Sequence, residues 1–183
     1  MPQPAYVERT VWPLVVRRPQ ALPPRTRGKV LVVRALSPAP GLDQLGVQWL
    51  RRDGSLHVDF YNRWAVPPAE GVTEDLRRWP AASGVFAAVV GPDSGLAGDD
   101  VLEGELTVFL GEPARGVARV ALALVLIAAQ AAPAKVLMQR TLVAEAPLTT
   151  ATPAGMVAAL LEALRRVLGE TETAVRGATG TAA

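Results

Sequence analysis

Along the 183-residue chain, hydrophobic positions recur either at every second residue, as on a half-buried strand, or at steps of three and four, as on a helix face. Lys29 to Leu36 is apolar and β-branched almost throughout, which predicts a strand buried on both faces, ended by Ser37-Pro38-Ala39-Pro40-Gly41. Leu45 to Arg52 and Ser55 to Val66 predict a hairpin whose two-residue turn, Asp53-Gly54, requires positive φ. In its second strand Leu56, Val58 and Phe60 alternate with His57, Asp59 and Tyr61, so the first set is expected inside and His57 on the polar side. Val72, Leu76 and Trp79 then take helical spacing, giving a helix from Pro68 to Trp79 that Pro80 stops.

Further strands are expected over Val85 to Val90, Val101 to Leu110, Gly116 to Ala129 and Val136 to Ala146. In the second of these, Leu102, Gly104, Leu106, Val108 and Leu110 share one face, and Glu103, Glu105, Thr107 and Phe109 the other. Thr152 as N-cap and Pro153 as first residue open a long helix with the stripe Met156, Val157, Leu160, Leu161, Leu164, Val167 and Leu168. Residues 1–28, rich in Pro and Arg, read as an extended tether with a short edge strand within Val11 to Val16. Residues 171–183 read as a disordered tail. The sum is one α/β domain over residues 29–170, a mixed β-sheet packed by two main helices.

Composition narrows the functions. Lys plus Arg is 19 against 17 Asp plus Glu, a net charge of +2, too small an excess for a nucleic-acid-binding surface. With no cysteine and one histidine, the chain offers no thiolate nucleophile and no ligand set for a transition metal, so neither a metal nor another cofactor is expected. The longest apolar run, Val120 to Ala129, is short of the ~20 residues a membrane span needs and reads as a buried strand. No serine stands in a nucleophile-elbow context, and the Gly91 to Gly98 loop lacks the Lys of a phosphate loop. Glu103 and Glu105 share a strand face and would suit acid–base work, but a solvated face near a sheet edge accounts for them, and no catalytic residue is assigned.

The most distinctive stretch is Tyr61-Asn62-Arg63-Trp64-Ala65-Val66-Pro67-Pro68, the junction between the hairpin and the first helix. Two readings apply to Tyr61, Asn62, Arg63, Trp64, Pro67 and Pro68. Trp64 anchors the core and the octet is a fold signature, or its Tyr, Trp and Arg form a partner-binding surface. Arg63 and Trp64 point to opposite faces if the strand continues, so only one of them belongs to any given surface.

The chain resembles the ABC-type transport auxiliary lipoprotein family, the group of PqiC-like proteins. The resemblance rests on Lys29 to Val33, Gly41-Leu42-Asp43, the octet, Ser83-Gly84-Val85-Phe86, Leu102-Glu103-Gly104-Glu105-Leu106 and the final Ala/Leu-rich helix. It implies a mixed α/β sandwich of the TolB amino-terminal-domain type and no catalytic residues. It further implies a periplasmic lipoprotein held to the outer membrane of the Gram-negative envelope, accessory to transporters with MCE-domain subunits that move phospholipid or other apolar molecules between the membranes. The implied amino-terminal signal and lipidated cysteine do not stand in this sequence, and Met1 is expected to take the place of the residues up to that cysteine.

The expected function is therefore non-enzymatic. The expected partners are an MCE-domain protein, phospholipid, the outer membrane through the lipid anchor, and a second copy of the chain, with nucleic acid excluded. The alternative is an envelope assembly or scaffolding module with no transport role.

Overall fold

The computed structural model describes residues 8–180. Its strands are β1 (Thr10–Trp12), β2 (Val30–Val33), β3 (Ser37–Pro38), β4 (Gly46–Leu50), β5 (Leu56–Trp64), β6 (Ala88–Val90), β7 (Asp100–Glu112), β8 (Val117–Ala128) and β9 (Lys135–Pro147). Helix α1 spans Pro68–Ala81 and α2 Pro153–Thr179. β7 is the spine of the sheet. One side of it pairs antiparallel with β8, which pairs antiparallel with β9. The other side takes β2, β3 and β4 in succession, all parallel. Beyond β2 lies β6, and beyond β4 lie β5 and then β1. α2 packs on β8 and β9, α1 on β2 and β6, and the two helices touch. This is the expected α/β class, a mixed sheet covered by two main helices.

Three irregularities decide which side chains reach the core. Gly46 and Gln48 of β4 pair with Arg63 and Val58 of β5, two steps against five, so β5 holds three extra residues. An odd number of extra residues reverses a strand's facing. Trp64 is buried at 2% exposure, and the reversal turns Leu56, Val58 and Phe60 outward and Asp59 inward. The alternation in β5 was therefore read on the wrong side. A second bulge at Thr107, between the pairs Leu106–Leu122 and Val108–Ala121, brings Phe109 onto the core side with Leu102 and Leu106. This corrects the grouping of Phe109 with Glu103 and Glu105. A third, at Leu137, lets Leu137 pack on the core beside Met138 and leaves Val136 exposed.

The hairpin turn also differs from expectation. Gly54 takes φ of +83°, but Asp53 does not have positive φ. Gly54 N–H donates to the Arg51 carbonyl and Arg51 N–H to the Ser55 carbonyl, so the loop is Arg52-Asp53-Gly54 with one left-handed residue. The Asp53 carboxylate accepts from Ser55 N–H and Oγ–H, which holds the loop. Pro80 lies inside the last turn of α1 and does not stop it: the helix runs one residue further, to Ala81, and forgoes the one bond a residue-80 N–H would make to the Leu76 carbonyl.

The ends of the domain are more ordered than composition suggests. Leu14 and Val16, within the expected tether, are buried in the core. α2 runs on to Thr179 where a disordered tail from residue 171 was expected, because Thr171 and Val175 continue its buried stripe. Thr152 Oγ1 accepts from Gly155 N–H at 3.1 Å, the N-cap expected there. Residues 1–7 of the tether and 181–183 of the tail lie outside the described residues. Glu172 ties three elements together: it accepts from Arg18 Nε at 2.9 Å, Trp79 Nε1 at 2.8 Å and Arg176 Nη2 at 2.9 Å.

Asp75 does the same for the start of the chain. Its Oδ2 accepts from Val16 N–H at 2.9 Å, while Oδ1 has no hydrogen-bond partner. Burial pushes its carboxyl up to about 6, outweighing the opposing effects of Val16 N–H and Arg78. The folded chain thus binds this proton more tightly than the unfolded chain, so the group adds stability as pH falls from about 6 towards 4 and nothing above that window. Urea unfolding of the wild type and Asp75→Asn is expected to show their stability difference moving in the wild type's favour as pH drops through that window, and a pH-independent difference would refute it.

Candidate functional site

The extra residues of β5 form a built protrusion beside the octet. Asp59 turns inward at 8% exposure and braces it. Its Oδ1 accepts from Tyr61 N–H at 2.8 Å and Asn62 N–H at 3.0 Å, and its Oδ2 from Asn62 Nδ2 at 2.9 Å. The strand opposite must approach closely. A Cβ on Gly46 would sit 2.4 Å from the Asp59 carbonyl oxygen, so this position tolerates glycine alone without a shift of backbone. The result is a knob with Phe60 and Tyr61 at its tip, 60% and 43% exposed, their rings edge to face at 5.3 Å. The Arg9 guanidinium lies over the Phe60 ring, 4.1 Å from its centroid, a cation–π contact.

The octet residues divide by role. Trp64 sits in the core with its ring 5.4 Å from that of Phe109. Asn62 accepts from Trp12 Nε1 at 3.3 Å and so fastens β1 to the bulge. Pro67 places its carbonyl to accept from Glu70 and Gly71 N–H, and Pro68 is the first residue of α1. Tyr61 is exposed and takes no such structural role. Arg63 is half-buried and has no hydrogen-bond or ion-pair partner among the described residues, and its register partner on β1 is Val11, 61% exposed. Phe60, Val11, Arg9 and the bracing Asp59 were not singled out as site residues in the sequence. The available signal was two adjacent aromatics between an Asp and an Asn, which a clean period-two strand does not accommodate.

The other candidates resolve into structure. Asp99 accepts from Val30 N–H, Asp100 is buried against Lys29 Nζ at 3.0 Å, and Glu103 pairs with Arg34 at 2.5 Å. Glu103 and Glu105 lie on an interior strand, opposite Val125 and Ala123, and not near a sheet edge. His57 lies against Trp49, ring centroids 4.0 Å apart, and its Nδ1 faces the Arg51 guanidinium. No group of three or more metal-ligating side chains occurs among the described residues, and no described helix is long and apolar enough to cross a membrane. An open groove of about 1190 Å³ runs between β9 and α2 past Arg18, Arg140, Arg165 and Arg166. Three of these arginines are already bonded to carboxylates, Arg18 to Glu172 and the other two to Glu162.

Fold and site together define an α/β domain with a mixed sheet, two covering helices and an exposed aromatic bulge on β5. The chain belongs to the family of ABC-type transport auxiliary lipoprotein components, whose family model matches residues 14–170. Among solved structures it is similar to protein XCC0632 from Xanthomonas campestris, a DUF330 protein, at 23% identity and a TM-score of 0.78, covering 93% of this chain and 98% of that one. A second, uncharacterized protein matches at 16% identity and a TM-score of 0.73, covering 92% and 99%. The hypothetical protein CT253 from Chlamydia trachomatis matches more distantly, at 8% identity and 0.51, covering 81% and 98%. These likenesses establish the fold. No curated protein matches the sequence.

The division of the octet is testable by melting. Trp64→Ala is expected to lose about 3–5 kcal/mol by urea unfolding, the cost of emptying a core aromatic site. Tyr61→Ala is expected to stay within about 0.5 kcal/mol of the wild type, as an exposed substitution does. Equal losses would show the knob to be part of the core.

Proposed function

We propose that the chain is a non-enzymatic docking component of an ABC transport system of the MCE type. Such a system moves phospholipid or other apolar molecules between the inner and outer membranes. The protein acts in the periplasm, held to the outer membrane by an amino-terminal lipid, and binds an MCE-domain protein of the transporter. Self-association through the same face is part of this reading. The octet serves both as fold signature and, through Tyr61 and Arg63, as contact surface.

The observation that supports docking over carriage is the closed interior. The void enclosed by Leu31, Leu76, Trp79, Leu102, Leu168 and Val175 is about 10 Å³. A site for a drug-sized apolar ligand takes roughly 300–1,000 Å³. The helices lie directly on the sheet, and the buried residues form one continuous cluster. Binding is therefore assigned to the outer surface of the domain and not to an interior cavity.

Two measurements test this reading. Organic extraction and mass spectrometry of the purified chain are expected to find phospholipid well below one molecule per chain. Stoichiometric lipid would restore the carrier role. Co-purification with an MCE-domain protein of the same cell is expected to succeed from detergent extracts, and its failure would remove the transport assignment.

A further inference from the structure

Half of the ten most exposed large hydrophobic side chains among the described residues lie on two adjacent strands, β1 and β5: Val11, Leu56, Val58, Phe60 and Tyr61. The charges on this surface are unequal. Arg9 stacks on Phe60, Arg63 has no carboxylate partner among the described residues, and Arg51 and Arg52 stand at the hairpin tip next to Leu56. The acids nearby are Glu8, which is exposed, Asp53, which is engaged by Ser55, and Asp59, which is buried in the brace. The position of the surface is the second observation. Arg9, one residue before β1, lies over the Phe60 ring, so the chain leads into β1 past the knob.

We infer that this β1–β5 face is a membrane-surface contact, with Phe60 and Tyr61 seated at the lipid interface and Arg9 and Arg63 on anionic headgroups. The inference rests on the family's lipoprotein character, which makes the amino-terminal segment the lead to the lipid. Aromatic rings with one apolar and one polar side settle at the membrane–water interface, and arginines beside them are attracted to anionic lipids. The extra residues of β5 also have a purpose on this reading: a regular strand would send these adjacent rings to opposite faces of the sheet, whereas the bulge braced by Asp59 leaves both exposed.

The test uses the full chain, without lipid modification, and flotation with vesicles of two compositions: phosphatidylethanolamine with phosphatidylglycerol, and phosphatidylcholine alone. Partition into the anionic vesicles is expected, weakening as salt is raised. Phe60→Ser/Tyr61→Ser is expected to lower it about tenfold, and Arg9→Gln or Arg63→Gln about fivefold each. Leu96→Ser, at another exposed leucine, is expected to change nothing. Thermal melts of all variants should match the wild type, so loss of binding is not loss of fold. Absence of flotation with anionic vesicles overturns the inference, as does flotation unchanged by the double substitution. Loss of MCE-protein co-purification by the double variant, without any vesicle binding by the wild type, assigns the face to the protein partner and also overturns it. Failure of the wild type to co-purify with the MCE protein counts against the transport reading alone, since the flotation result is read separately.

Discussion

The edge-to-face contact of Trp64 with Phe109 in the core governs much of this structure. The two aromatics come from β5 and β7, which β4 separates. Neither would meet the other if both strands alternated without interruption. Each strand takes an odd number of extra residues, three in β5 and one in β7, and each insertion reverses the facing of what precedes it. The core gains two large rings. In exchange the outer surface receives Leu56, Val58 and Phe60, which would otherwise have been inside. The exposed apolar face and the buried aromatic pair are thus two results of one register choice, and the face cannot be made polar by restoring the regular strand without moving Trp64.

This explains how much of the molecule could be read from its residues. The existence of the long strands and of both helices followed from periodicity, and the start of α2 followed from Thr152 and Pro153. Periodicity counts residues, however, and a bulge changes the count without changing the composition. The errors in β5 and β7 both have this origin. The extension of α2 was hidden differently: beyond Leu168 its buried positions are Thr171 and Val175 among small and charged residues, which lowers the apolar signal though the helical spacing persists. The candidate site was legible as an address, the octet, which holds Tyr61 and Arg63, but Phe60 lies just before it on β5 and Arg9 and Val11 lie across from it at β1.

The open edge of the sheet is managed differently from its exposed face. β9 is a 13-residue edge strand, long enough to invite pairing with another chain. Arg140 stands there opposite Leu124, on the side of the sheet that α2 covers, and the bulge at Leu137 interrupts the ladder. A charge on the inner side of an edge and an irregular ladder both discourage addition of a further strand. The contrast with the β1–β5 face is informative, because there the apolar groups are left uncovered and the flanking charges are cationic.

The Arg18–Glu172 pair joins positions 154 residues apart, and with Trp79 it fastens the first segment of the domain to the last turns of its last helix. A contact of that span forms only after nearly the whole chain exists, because the loop it closes must be ordered first. The first segment of the domain therefore takes its final place only once the last helix has been made.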